Sequence, residues 1–289
     1  MAEAWNVDHG WRYMFGSMAI PAILFFTLLF TVPESPRWLT TKRRESEAEN
    51  ILTRINGKEQ GKKVLEEVIE TLKEEKGTLR ELFGPFFRKA IFVGIMLAVF
   101  SQVTGINAIM YYAPEVFKES GSGSDSALAQ TVVIGLFNVI FTFVSILFVD
   151  KIGRKALLLI GATGMGSSLF MVGLAFQSGW TEGYFLLIFI LMYISSFSAS
   201  YGPVTWVVIS EIFPTKMRGV AMSVATMILW IAVYLVTQFF PILLEAVGAA
   251  YTFWIFGVFS ILALIYVYLK VPETKGKTLE QIEHEWKSK

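Results

Sequence analysis

Seven uninterrupted apolar runs dominate the chain, near residues 12–32, 90–113, 127–149, 156–177, 183–209, 219–244 and 250–270. Each is long enough to cross a bilayer core, which takes about 20 residues as a helix. The third, Ala127 to Val149, carries no charge; neither do the fourth, the sixth beyond Arg218 or most of the seventh. Hydrocarbon offers no partners to backbone N–H and C=O groups, so a spanning segment must be a helix or part of a closed barrel. These runs are continuous rather than alternating, which predicts helices. A water-soluble protein can bury one such helix, but seven leave too little polar surface to cover it. Only 17% of the 289 residues are charged, against about 25% in soluble domains. The predicted fold is an all-α membrane protein with seven transmembrane helices.

The same numbers exclude several functions. The net charge of +1 argues against a nucleic-acid partner. Without a single Cys there is no disulfide, no Cys metal site and no thiol nucleophile. His9 and His284 lie outside every apolar run. No enzyme activity, metal or cofactor is therefore expected.

The cations set an orientation. Residues 33–89, the third-to-fourth and fifth-to-sixth connections and the tail together hold 23 of the 25 Lys and Arg; the opposite side holds Arg12 and Lys118. Cytoplasmic loops carry the excess of Lys and Arg, so the C-terminus is predicted inside and the N-terminus outside, in a multi-pass cell-membrane protein. An outside N-terminus calls for a signal peptide or a preceding span. Met1 to Asn6 provide neither a basic nor an apolar leader region, so a further segment upstream is expected.

Residues 40–85 form the long polar stretch. A helix is predicted from about Arg44 to Ile55, stopping at Asn56-Gly57. Leu65, Val68, Ile69 and Leu72 fall at helical spacing and predict an amphipathic helix, which Gly77 is placed to end. Thr78 with Glu81 has the spacing of a capping box. The expected organisation is residues 1–39 as one helix and its exit, 40–88 as a cytoplasmic helical linker, 89–271 as a six-helix bundle and 272–289 as a tail.

Short motifs cluster at the predicted cytoplasmic span ends. They are Pro33-Glu34-Ser35-Pro36-Arg37-Trp38-Leu39, Asp150-Lys151-Ile152-Gly153-Arg154-Lys155, Glu211-Ile212-Phe213-Pro214 with Arg218, and Pro272-Glu273-Thr274-Lys275-Gly276-Lys277-Thr278-Leu279-Glu280. Carboxylates and guanidinium groups at helix ends can clamp a cavity mouth shut and release it, and Arg suits this because it forks onto a carboxylate. Glu34, Arg37, Asp150, Arg154, Lys155, Glu211 and Arg218 are the candidates, with Gly153 giving the tight turn.

In this order the motifs resemble the sugar porter family of the major facilitator superfamily, most closely its bacterial D-xylose–proton symporters. The resemblance begins at Trp11-Arg12-Tyr13-Met14-Phe15, similar to the start of the family's sixth helix, and runs through its twelfth. It implies the C-terminal six-helix bundle, the helix before it and the cytoplasmic insert between them. The family binds sugar between two six-helix halves and works by alternating access. It implies a monosaccharide such as xylose or a hexose as ligand, the lipid bilayer as surroundings, and a separate N-terminal-half polypeptide as a candidate partner. The chain is expected to be a truncated or split form.

A sugar site needs uncharged amides and hydroxyls with an aromatic platform. The second run supplies Gln102, Thr104, Asn107, Tyr111 and Tyr112. Asn107 and Tyr111 share a face, whereas Gln102 and Asn107 stand roughly 140° apart on a straight helix; Gly105 offers a point of irregularity. Pro203, in Gly202-Pro203-Val204-Thr205-Trp206, is expected to break or kink its helix. The resemblance implies sugar contacts from Gln102, Asn107, Tyr111, Gly202, Trp206 and Trp230. It departs from the family at Ser101 and Leu229, where glutamines are usual, which opens the choice of sugar to other pentoses and hexoses. No ionisable residue lies mid-span. The resemblance places the coupling acid in a helix this chain does not include, so the chain alone is expected not to catalyse proton-coupled uptake. The alternatives are a seven-helix sugar sensor or receptor, and a non-transporting regulatory half.

Overall fold

The computed structural model describes residues 9–73, 78–121, 123–181 and 184–277. Met1 to Asn6, Gly77 and the tail from Thr278 onward, with the last residues of the Pro272 motif, lie outside the described residues. The chain divides into two compact units, Met1–Glu75 and Lys76–Lys289.

In the first unit, α1 (Trp11–Ser17) and α2 (Ala19–Leu29) form one apolar stretch with no buried residue. Ser35 is extended and Pro36 opens α3 (Pro36–Thr41), where its missing N–H costs nothing. Helix α4 (Glu45–Asn56) stops at Gly57, φ 83°, as the sequence predicts, and α5 (Lys58–Lys73) follows. Leu39, Ala48, Leu52 and Leu65 make a small core, with Ile51, Val64 and Ile69 packed on it. Val68 and Leu72 are half-buried, so the apolar stripe of α5 faces this core.

The second unit begins with α6 (Leu79–Leu82). Its capping box forms as predicted: Thr78 accepts from the Glu81 amide and Glu81 accepts from the Thr78 amide. That amide, and Lys216 at 3.3 Å, hold the Glu81 carboxyl below its ordinary pKa. Leu82 is buried in the bundle core. Thus the polar stretch is shared between the units, α6 belonging with the bundle.

The bundle itself is α7 (Arg88–Val103), α8 (Ile106–Glu119), α9 (Ser124–Ile152), α10 (Arg154–Ser178), α11 (Phe185–Ser198), α12 (Tyr201–Glu211) and α13 (Thr215–Lys270). Among the described residues, six stretches are long and apolar enough to cross a membrane. The last, Lys216–Lys270, has 55 residues and would run about 80 Å if straight. Its backbone leaves the helical region at Gly248 (φ 81°, ψ 167°), so 216–247 and 249–270 are each long enough to cross once.

Small residues set the helix packing, since lipid gives no hydrophobic reason for helices to associate. A methyl group on Gly161 or Gly164 of α10 would overlap Ser200 or Ser196, and one on Gly173 would overlap Trp254. Apolarity follows the reverse of a soluble protein. Helix α9 is the most apolar of these stretches, yet little of it is buried. Val132, Leu136, Val139, Ile140 and Phe143 point outward from it, as a lipid-facing helix requires.

Candidate functional site

Two discontinuities shape the interior. Helix α7 ends at Val103, and Gly105 takes a left-handed conformation (φ 97°, ψ 11°) before α8 starts at Ile106. Glycine is needed here twice over. Positive φ disfavours any side chain, and a Cβ would stand 2.6 Å from the Phe256 ring. The second break lies between α11 and α12, with Ser200 at φ −135°, ψ −90°. This agrees with the expectation for Pro203: the helix is interrupted at Ala199 and Ser200, where a proline has no N–H to give the carbonyl four residues back, and in the new helix Pro203 falls in the first turn, where no intrahelical bond is lost.

Gly94 faces Ile209 and Phe213, which packs α7 against α12, and Tyr193 Oη donates to the Thr104 carbonyl at 3.0 Å, which ties α11 to the first break. Tyr193 also satisfies a carbonyl that the break would strand in a dry interior.

The break does what a straight helix could not. It brings Gln102 and Asn107 together: Asn107 Nδ2 donates to Gln102 Oε1 at 2.6 Å. Gln102 Nε2 in turn donates to Ser101 Oγ at 3.1 Å, and Ser101 Oγ donates to the Ala98 carbonyl at 2.7 Å. Ser101 and Gln102 are buried and Asn107 is half-buried. An uncharged amide pair thus sits in the bundle interior with donor and acceptor capacity to spare.

The other predicted sugar residues are not tied to this pair by hydrogen bonds or ring contacts among the described residues. Tyr111 (57% exposed) and Trp230 (60% exposed) project from the bundle. Tyr112, next to Tyr111, is the kink of α8 (φ −107°, ψ 15°) and packs on Phe240 at 5.2 Å. Trp206 is half-buried against the core, and a Cβ at Gly202 would be in ordinary contact with Phe197, 3.5 Å from its ring. Sequence reasoning missed Asn138, a half-buried amide in the middle of α9, 4.0 Å from Met110 Sδ. The signal is present in the sequence, because a lone amide in an apolar run is costly without a cavity or partner. An apolar groove lined by Val247, Tyr251, Trp254, Val258, Phe259 and Leu262 offers a sugar almost no polar group.

The charged end of the bundle is a connected network. Arg154 forks onto Glu211, Nη2 to Oε1 at 2.7 Å and Nε to Oε2 at 3.1 Å. Asp150 adds an ion pair at 2.8 Å. Thr274 Oγ1 donates to Glu211 Oε2 at 2.6 Å. Glu273 accepts from the backbone amides of Arg154 and Lys155 at 3.0 and 3.1 Å, placing a carboxylate on the N-terminus of α10 where unpaired amides and the helix dipole favour it. Gly153 makes that approach possible: at φ 102°, ψ 154° it adopts backbone almost confined to glycine, and a Cβ there would be 2.7 Å from Glu273 Oε2. Lys155 Nζ donates to the Tyr268 carbonyl at 2.8 Å.

Sequence reasoning grouped Arg218 with these residues, but it forms no ion pair among the described residues, and its Nε is buried without a hydrogen-bond partner. Glu273 and Thr274 were quoted in a motif but not recognised as partners of the loop around Gly153. Glu34 and Arg37, in the first unit, are exposed and carry no hydrogen bond or ion pair among the described residues.

Three comparisons bear on this arrangement. The profile of the family described as "Sugar (and other) transporter" matches residues 2–286. The arabinose-proton symporter of Bacillus subtilis is 44% identical over 283 residues, covering 98% of this chain and 61% of that protein. The D-xylose-proton symporter of Escherichia coli K12 is 43% identical over 289 residues, covering 98% and 58%. Among solved structures, a proton:xylose symporter of the major facilitator superfamily bound to 6-bromo-6-deoxy-D-glucose superposes with a TM-score of 0.78 at 41% identity, over 98% of this chain and 60% of that one. The inward-open xylose transporter of E. coli gives 0.76. The chain spans about three fifths of the length of these relatives.

Proposed function

The chain belongs to the sugar transporter family of the major facilitator superfamily, and on that premise we propose that it forms the sugar-binding and gating wall of a monosaccharide transporter. The ligand is a pentose such as xylose or arabinose, or a hexose. The observation that carries this reading is the Gln102–Asn107 amide pair joined across the break at Gly105. A polar, uncharged and largely desolvated pair matches what sugar hydroxyls need, and Tyr111, Trp206 and Trp230 supply aromatic faces for the ring.

Residues 1–39 serve as the last helix of the N-terminal half, 40–88 as a cytoplasmic linker, 89–271 as the C-terminal bundle and 272–289 as its tail. The cation distribution supports a cytoplasmic C-terminus and an outside N-terminus. The charged network is then the inner gate on this half. Glu34 and Arg37 act at the end of the preceding helix, and the buried, unpartnered Nε of Arg218 suits a carboxylate on the N-terminal half, whether that half is a separate polypeptide or not.

Titration of tryptophan fluorescence with D-xylose and with arabinose tests the site. Gln102→Ala is expected to weaken binding by about tenfold, as loss of one hydrogen bond plus a stranded Asn107 amide predicts; unchanged affinity would overturn the assignment. Coupling belongs elsewhere, because no ionisable side chain lies mid-span in this chain. In liposomes the chain alone is expected to give no sugar-driven alkalinisation, and robust coupled uptake would refute that part.

A further inference from the structure

We propose that Ser101 is a positioning residue that fixes which end of the Gln102 amide faces Asn107, and so fixes the polarity of the site. This rests on the sugar-site reading above and deepens it. An amide side chain can turn over, exchanging its oxygen and nitrogen, and only its partners decide which way it points. At Gln102 the decision is made by the direction of a chain of hydrogen bonds.

The chain starts at the Ala98 carbonyl, which is an acceptor only. It takes the single hydroxyl proton of Ser101 at 2.7 Å, leaving Ser101 Oγ with lone pairs and no proton to give. Facing such an oxygen, the Gln102 amide must present Nε2, which it does at 3.1 Å. Oε1 is thereby turned to the other side, where it receives Asn107 Nδ2 at 2.6 Å. Turning Gln102 over would set two acceptors against each other at Ser101 and two NH2 groups against each other at Asn107. The fault at Ser101 would fall in a buried site, where an unmade hydrogen bond is most costly: Ser101 is 3% exposed and Gln102 6%, so water cannot repair it.

The consequence reaches the ligand. With Nδ2 engaged by Gln102, Asn107 keeps Oδ1 as an acceptor for the ligand, and the site offers a sugar hydroxyl a place to donate. Bonds that polarise one another in sequence also strengthen that acceptor. The side chain at position 101 therefore touches no sugar itself; it sets the polarity of the residue that does.

Ser101→Ala tests this in the whole chain, with Ser101→Thr as the conservative variant, since a Thr hydroxyl can make the same backward bond to the helix carbonyl. In Ser101→Ala, D-xylose affinity is expected to fall about fivefold, in line with one neutral hydrogen bond, and Ser101→Thr to restore it. In a Gln102→Ala background, Ser101→Ala is expected to have no further effect. A second measurement needs no ligand: the Gln102 side-chain amide NMR signal, identified by its disappearance in Gln102→Ala, should shift in Ser101→Ala and return in Ser101→Thr. An unmoved amide signal overturns the positioning role. Equal losses in both backgrounds also overturn it, because Ser101 would then act independently of Gln102. If the amide signal behaves as expected but neither Ser101 nor Gln102 alters sugar affinity, the relay stands and the sugar-site reading falls.

Discussion

Arg154→Ala is expected to destabilise the bundle by about 3 kcal/mol, the lower end of the cost of removing one partner of a buried ion pair. It should be the most damaging single change at the charged end. The guanidinium is only 11% exposed, whereas Glu211 is 30% exposed and Asp150 76%. Removing the cation leaves Glu211 holding its charge against Thr274 alone, with partial access to water that moderates the penalty. Asp150→Asn, by contrast, should cost under about 1 kcal/mol, because exposed pairs are worth little. Arg154→Lys should recover only part of the loss, since a point charge cannot reproduce the two-pronged contact with Glu211. Thermal unfolding in detergent, following tryptophan fluorescence, measures the series. Equal midpoints for Arg154→Ala and Asp150→Asn would show that the fork to Glu211 is not the stabilising contact.

The second large effect falls at Gly105. Gly105→Ala combines a left-handed backbone, which costs a side chain roughly 1–3 kcal/mol, with a collision against the Phe256 ring, worth roughly 1–3 kcal/mol as overpacking. A loss of roughly 2–6 kcal/mol is therefore expected. Phe256 is held in a stack with Phe240, 6.0 Å between centroids, so it has little freedom to retreat. Relief comes from straightening the chain at residues 104–105, which parts Gln102 from Asn107. Sugar affinity should then fall by at least tenfold. Gly135→Ala in α9 is the control: nothing lies within 4 Å of its Cβ position and its φ is ordinary, so it should be neutral or slightly stabilising. If Gly105→Ala binds sugar as well as the unmodified chain, the break is not what assembles the site.

Local features were the legible ones. The stop at Gly57, the Thr78–Glu81 capping box and the turn at Gly153 depend on a few neighbouring residues, and each stands in the structure as read; the apolar runs are helical, with the second and fifth each broken in two. Features that depend on distant partners were hidden. Nothing near Glu273 in sequence shows that it reaches the N-terminus of α10, 119 residues earlier. The Gln102–Asn107 pair was invisible for a related reason. Helical periodicity assumes an unbroken helix, and on that assumption the two point apart. Pro203 made the second break legible, because a missing N–H and a ring clash act on the carbonyl four residues earlier, at Ala199. Arg218 was grouped with its neighbours by charge and position, but geometry leaves it unpaired among the described residues.

The contact between Glu273 and the amides of Arg154 and Lys155 also orders events in time. Chains emerge from the ribosome N-terminus first, so α10 enters the membrane with its first turn uncovered, long before Glu273 exists. Arg154 can find Glu211 once α12 is made, but the start of α10 stays open until Glu273 appears. The charged end is therefore a clasp fastened in two steps, the ion pair first and the carboxylate on the helix start second.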